Sequence, residues 1–344
     1  MQAIRVHPAP AGTEPYSASN PAPVSALHLD PDVMVPKPSS QPGEVLVRVK
    51  ASTVVRDTLT WPDTYTQANR IPGNDLAGVV VEVASAGSKF SPGDEVFGMV
   101  SSVRSAAWAE YVVVKDDEIA PKPKTLTWEQ AAAMPLSGQT AYEALVDHAG
   151  ISLPAREEEI IRNISKSHPA PHRKRILITG AAGGVGVYLV QLAAFAGLHV
   201  TGATSSNSRN SDFLRSLGAD ETIEYASLKC QRGMYDVVID TVGGEPLADA
   251  WTVVKSGGTV ISVDSSSFDF VQKHKEIGLA KEGVKGLFFI VHGRSEALNS
   301  LARLAESGLL EVFVLYIFPA TQAREAYERA SGRVTGRGKV ILTF

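Results

Sequence analysis

The chain has 344 residues, 44% of them apolar and 20% charged, with a formal net charge of −4, which allows about two domains with a core each and gives no basic surface for nucleic acid or an anionic membrane. The single cysteine, Cys230, excludes an internal disulfide and a cysteine-based structural zinc. The opening MQAIRVHPAPAGTEPY has no apolar signal core, and no apolar run approaches the ~20 residues of a membrane span, so a cytoplasmic protein is expected. Residues 1–120 read as strands and turns. EVLVRVKAS (44–52) alternates in period two, DLAGVVVEVASAG (75–87) is valine-rich, and SPGDEVFGMV (91–100) passes from a Pro-Gly-Asp turn into a strand. With AEYVVVK (109–115), these short, closely spaced strands predict a barrel-like antiparallel β domain.

The pattern then changes. Thr127 followed three residues later by Gln130 reads as a capping box ahead of an alanine-rich helix. Pro135 should break or kink that helix, and a second one should run from near Ser137 to Gly150. Residues 151–174 are charged, polar and proline-containing, and read as a surface excursion with a short helix at 156–164. From Arg175 onward strand and helix alternate: RILIT, GVYLVQLAAFAG, HVTGAT, SDFLRSLGA, ETIEY, YDVVIDTV, EPLADAWTVV and GGTVISV. That alternation predicts βαβ units and a parallel sheet. Two amphipathic helices and the strand GKVILTF end the chain, the strand returning to the β domain.

Between the first strand and helix of this series Gly180, Gly183 and Gly186 are spaced three apart, with Gly184 among them. The first amides of a helix lack intrahelical partners and carry partial positive charge, so a pyrophosphate binds there if no side chain stands in the way. On its own this spacing, G-x-x-G-x-x-G, also fits a tight bend with close helix–strand packing. The next strand ends in GATSSNSRNSD (202–212). An NAD enzyme usually has an acid at this strand end for the ribose 2′-hydroxyl. Here Ser205, Ser206 and Arg209 stand there instead, hydroxyls and a guanidinium suited to a 2′-phosphate. NADP(H) is the expected cofactor.

The motifs AAAMPLSGQTAYEAL (131–145), ILITGAAGGVGVYLVQLAAFAG (176–197), LRSLGADETIEY (214–225), DVVIDTVGG (236–244) and GRGKVILTF (336–344), behind a β-rich domain, resemble the medium-chain dehydrogenase/reductase superfamily. More narrowly, the chain is similar to its zinc-free branch of quinone oxidoreductases and enoyl reductases. The resemblance implies an α/β protein: an N-terminal GroES-like β-barrel domain over 1–126 and 312–344, and a Rossmann doubly wound parallel-sheet domain over 127–311 with an insertion at about 151–174. Where zinc-dependent members carry Gly-His-Glu, this chain reads GND (73–75), with Asn74 in place of histidine and no cysteine in the β domain. No metal is expected.

Residue by residue, the resemblance implies that Ala182, Gly183, Gly184, Val185 and Gly186 meet the pyrophosphate, and Ser205, Ser206 and Arg209 the 2′-phosphate. Tyr225 matches a cofactor-contacting tyrosine. Val242 and Val263 fall where backbone borders the adenine or nicotinamide. Phe289, Ile290 and Val291 match a segment lining the nicotinamide, Gly338 and Lys339 a late loop at the cofactor, and Thr140 a helix start near the nicotinamide. Near the nicotinamide many relatives carry an Asn-Pro-x-Asp-like segment where this chain reads VVRD (54–57), which keeps Asp57, implied as a cofactor-binding residue, and introduces Arg56.

Without a metal, the expected reaction is hydride transfer from NADPH to an activated C=C bond of an enone or enoyl compound, or to a quinone. A ketone or aldehyde reductase, and a non-catalytic NADP-binding regulator, are the alternatives. Tyr65, Arg56 and Asn74 are the candidate catalytic residues, and Trp61 and Trp108 the candidate pocket walls, each of which also reads as ordinary packing or loop structure. The expected partners are a small-molecule enone, enoyl or quinone substrate, or an acyl chain on a carrier protein. The resemblance further implies a homodimer paired through GGTVISV as an edge strand, with a monomer as the alternative.

Overall fold

A computed structural model describes the chain except residues 40–42, 85–86, 166–172 and 333–335. The strands are β1 (Ala3–Val6), β2 (Leu27–Asp30), β3 (Glu44–Val54), β4 (Asp75–Val83), β5 (Glu95–Met99), β6 (Tyr111–Lys115), β7 (Ile119–Pro121), β8 (Arg175–Ile178), β9 (His199–Thr204), β10 (Glu221–Glu224), β11 (Tyr235–Asp240), β12 (Val254–Ser262), β13 (Lys285–Phe288), β14 (Val314–Pro319) and β15 (Lys339–Thr343). The helices are α1 (Trp128–Ala133), α2 (Pro135–Glu143), α3 (Glu157–Ser165), α4 (Gly186–Phe195), α5 (Asn207–Ser216), α6 (Gly244–Val253), α7 (Phe270–Glu276), α8 (Ser295–Glu306) and α9 (Ala323–Ser331).

Tertiary contacts divide the chain into Met1–Gln139 with His292–Phe344, and Thr140–Val291. These limits differ from the 126/127 and 311/312 boundaries expected from sequence, because α1 packs on β3 and β4 and α8 packs on β7. In the first unit seven strands form a sheet in the order β14-β15-β3-β4-β5-β7, with β6 also on β3. The length of β3 makes this arrangement workable: its first half pairs with β6 and its last residues pair antiparallel with β15, Val54 opposite Val340. The final strand thus joins the N-terminal β structure. Val45, Val47, Leu76, Val96, Val112 and Ile119 form one core cluster. Ile4, Leu27, Trp108, Tyr327 and Leu342 belong to a second.

In the second unit six parallel strands run in the order β10-β9-β8-β11-β12-β13. This is a doubly wound Rossmann-type sheet, and its strand order reverses between β8 and β11. Its central strands β8 and β11 are largely buried and apolar, as strands covered on both faces require, while the edge strands β10 and β13 are half-buried to exposed. Helix α4 is buried along its whole length, and Leu177, Tyr235, Val238, Trp251, Val260 and Phe270 form the core of the unit. The strand β12, which contains most of GGTVISV, lies between β11 and β13. It is therefore not an edge strand, and the pairing expected through it is corrected. The short strand β13, with little sequence signal of its own, takes the edge.

The capping box forms as expected, with the Thr127 side chain accepting from the Gln130 amide. Pro135 opens α2 instead of merely ending α1, a position where its missing N–H costs nothing. Within the excursion, α3 docks on α4 through buried Ile160, and the Asn163 side chain donates to the Phe195 carbonyl at 2.7 Å. The rest of the excursion, 166–172, lies outside the described residues.

Candidate cofactor and active-site residues

The carboxyl ends of β8, β9, β11 and β12 bring together most of the residues expected at the cofactor. After β8 the chain turns through Gly180, whose φ is +60°. A Cβ on Gly180 would stand 2.2 Å from Thr241 Oγ1, and one on Gly186 would stand 2.2 Å from the Gly180 carbonyl oxygen. Only glycine fits either position. A Cβ on Gly183 would meet the Gly180 carbonyl oxygen at 3.0 Å, and Gly183 is exposed, with Ala182, Gly184 and Val185 half-buried beside it. The result is a bare backbone cradle at the start of α4, which fits a pyrophosphate. The Tyr225 hydroxyl accepts a hydrogen bond from the Gly180 amide at 3.0 Å and so fixes the turn. Burial pushes that phenol up from its ordinary pKa.

Sequence reading passed over Asp240, which is fully buried at the end of β11. Thr179 Oγ1 donates to one of its oxygens at 2.6 Å, and the Gly243 amide and Ser262 Oγ donate to the other at 2.9 and 3.0 Å. Burial pushes its carboxyl up, against these donors. The signal was an acid at the end of the apolar run VVI. Asp240 ties the ends of β8, β11 and β12 together and sets the loop carrying Val242, which is 38% exposed. The Val263 amide donates to the Asp240 carbonyl at 3.0 Å. Phe289 is buried against the His148 ring, with Ile290 exposed and Val291 half-buried. At the end of β9, Ser205 and Arg209 are exposed and Ser206 half-buried. Arg209 Nη2 lies 3.5 Å from Ser205 Oγ. Thr140, in α2, is buried.

In the first unit, Asp75 is fully buried. It accepts from the Leu136 amide at 2.6 Å, at the start of α2, and from Thr53 Oγ1 at 2.5 Å. Burial raises its carboxyl, opposed by the charge of Lys339. Lys339 donates to Ser137 Oγ at 3.2 Å, and burial lowers its ammonium pKa, opposed by Asp75 and Asp57. Its side chain thus serves this internal polar cluster. Gly338 needs its positive φ, +115°, because a Cβ would meet the Phe313 carbonyl oxygen at 2.5 Å.

The candidate catalytic side chains are scattered in role. The Tyr65 hydroxyl donates to the Leu59 carbonyl and accepts from the Ala22 amide. The Asn74 amide is buried and donates to the Val100 carbonyl at 3.0 Å. Arg56 is exposed. Trp61 is half-buried, with its Nε1 enclosed and unpartnered. Trp108 is no pocket wall: it is 0% exposed, donates from Nε1 to the Thr53 carbonyl at 2.8 Å and packs edge-on against Tyr327. Its indole fills the space beside Gly73, where a Cβ would stand 2.2 Å from it.

Among the described residues no three histidine, cysteine, aspartate or glutamate side chains come together as a metal set. The one cysteine, Cys230, is exposed and lies in the second unit. Asn74 offers an amide already committed to a carbonyl. These residues do not fit a catalytic zinc.

Residues 41–124 match the alcohol dehydrogenase GroES-like domain, and residues 217–342 match the zinc-binding dehydrogenase family. A probable zinc-binding oxidoreductase, mitochondrial, of Arthroderma benhamiae is 34% identical over 316 residues, spanning 89% of this chain and 90% of that one. The chloroplastic quinone-oxidoreductase QR1 of Triphysaria versicolor is 32% identical over 323 residues, spanning 89% and 92%. The quinone oxidoreductase structure from Coxiella burnetii superposes with a TM-score of 0.80 at 25% identity, over 100% of this chain and 99% of that one. Those two relatives are named for organelles, whereas a cytoplasmic protein was expected here. Among the described residues no helix is long and apolar enough to cross a membrane. With a GroES-like domain, a Rossmann-type sheet and full-length relatives at this identity, the chain belongs to the medium-chain dehydrogenase/reductase family of oxidoreductases, in its quinone oxidoreductase-like branch.

Proposed function

We propose that this protein is an NADPH-dependent reductase of an activated C=C bond, in an enone or enoyl compound, or of a quinone, working without zinc. The observation that carries the proposal is the glycine cradle at the start of α4 combined with Ser205, Ser206 and Arg209 at the end of β9. The cradle suits a pyrophosphate, and the hydroxyls and guanidinium suit a 2′-phosphate. Asn74 in the histidine position argues for an acceptor that needs no Lewis acid. An α,β-unsaturated carbonyl or a quinone is such an acceptor, since its own oxygen takes up the charge.

The reduced nicotinamide, when bound, supplies the hydride. The chain's residues hold and orient the cofactor. Tyr225 and Asp240 fix the turn and the loop of Val242 through the hydrogen bonds described above. Hydride addition at the β-carbon leaves an enolate on the substrate, and a proton then adds at the α-carbon. Tyr65 has its hydroxyl proton on the Leu59 carbonyl, so water is assigned as the source of that proton. A small-molecule substrate and a cytoplasmic setting belong to the same reading, and a homodimer would have to form through surfaces other than β12.

The test is a titration of the purified chain with NADPH and NADH, followed by quinones, enones, an acyl-carrier thioester and an aldehyde, read at the absorbance of the reduced cofactor. Tight NADPH binding and its oxidation by enones or quinones is the expected result. Turnover of the aldehyde alone would make the protein a carbonyl reductase. Binding with no turnover would make it a regulator, and no binding of either cofactor would overturn the reading of the glycine turn.

A further inference from the structure

The end of β9 carries no acid in the sequence, yet the fold brings one there. The strand β10 runs parallel to β9, with Glu224 opposite Thr204, so the two strands end level. From this position Glu224 reaches across to the start of α5, and its Oε1 accepts a hydrogen bond from the Asn207 amide at 2.8 Å. Asn207 directly follows the two serines. Beside it, the Asn207 side chain donates through Nδ2 to the Thr222 carbonyl at 3.3 Å, which leaves its Oδ1 enclosed with no donor. Two chemistries therefore meet at one strand end. Ser205 and Arg209 offer a hydroxyl and a guanidinium, which attract phosphate. Glu224 is exposed and its carboxylate offers only acceptors, which suit the hydroxyl groups of a ribose and oppose a dianion.

We infer that Glu224 is the specificity-determining residue at the adenosine end of the cofactor, delivered from the neighbouring strand to the place where an NAD enzyme carries its acid on the strand before α5. The inference rests on the proposed nicotinamide cofactor. The carboxylate meets a 2′-phosphate as a like charge and meets a 2′-hydroxyl as an acceptor. Glu224 thus works against Arg209: one side chain disfavours the phosphate and the other favours it.

The experiment measures dissociation constants for NADPH and NADH by fluorescence titration of the full chain, in wild type, Glu224→Gln and Arg209→Gln. Glu224→Gln should raise the ratio Kd(NADH)/Kd(NADPH) about tenfold, equivalent to about 1.4 kcal/mol, mostly through tighter NADPH binding. Arg209→Gln should lower the same ratio. Glu224→Thr, which suits a strand end, carries the same expectation should the glutamine variant misfold. A ratio that stays within about twofold of wild type in the Glu224 variants, or falls, overturns this inference. If Arg209→Gln still lowers the ratio, the cofactor reading survives. Wild type binding neither cofactor overturns both.

Discussion

At the scale of single residues, burial decides roles that residue type leaves open. Trp108 follows Ser-Ala-Ala in a loop-like stretch, where an indole reads as readily as a pocket wall as it does as core. The structure places it at 0% exposure with its Nε1 on the Thr53 carbonyl. Trp108→Phe keeps most of the ring volume and removes the donor, leaving a buried carbonyl short of a partner. That change should cost ~1–3 kcal/mol in urea-induced unfolding, and an unchanged midpoint would remove the hydrogen bond from the account of this core. The same logic separates Tyr65 from a proton donor. Its position beside PDT in the sequence gave no sign that both hydrogen-bonding directions of the hydroxyl are spent on the Leu59 and Ala22 backbone. The Ala22 partner lies 43 residues away in the chain, and one sequence does not show it.

At the scale of elements, the glycine turn was legible because its requirement is local. A strand, a bare turn and a helix are adjacent in sequence, and the spacing of Gly180, Gly183 and Gly186 follows from their geometry. The three glycines nevertheless do different work. A Cβ at Gly186 would stand 2.2 Å from the Gly180 carbonyl oxygen and 2.6 Å from that of Ala181, against a wholly buried helix. Gly186→Ala should therefore destabilise the fold by ~1–3 kcal/mol as well as weaken cofactor binding. A Cβ at exposed Gly183 has one close neighbour, the Gly180 carbonyl oxygen at 3.0 Å, a tight contact but far milder than the 2.2 Å at Gly186. Gly183→Ala should weaken cofactor binding and cost much less thermal stability than Gly186→Ala. Equal thermal losses in the two variants would show that close packing, not ligand approach, is the purpose of Gly183. What sequence could not supply was the neighbour across the sheet. Glu224 reaches the start of α5 only because β10 lies beside β9, and β12 lost its place at the edge because β13 joined it. Both are facts of strand order, which periodicity does not encode.

At the scale of the whole molecule, the class of fold was readable because alternation of strands and helices leaves few topologies open, and because β3 is long enough to receive the last strand. The pH response was not readable, since it depends on which ionisable groups are enclosed. His274 is half-buried: Trp251 Nε1 donates to its Nδ1 at 2.8 Å, and burial lowers its pKa below the usual histidine value. A proton on Nδ1 would destroy that hydrogen bond, so folding favours the neutral imidazole. The unfolded chain, with an ordinary histidine, binds a proton as pH falls through about 6.5. Between that value and the lowered folded pKa the unfolded state holds more protons, so stability at this group falls as pH falls, and it is unaffected above the window. Buried Asp75 and Asp240 have raised pKa values and give a slope of the opposite sign in their own range, which is why wild type alone is a poor readout. His274→Gln preserves an acceptor for the indole and removes the titration. Denaturant midpoints should show the gap between wild type and His274→Gln shifting against wild type from pH 7.5 to pH 5.5. A gap constant across that interval would mean that His274 titrates alike in the folded and unfolded chain.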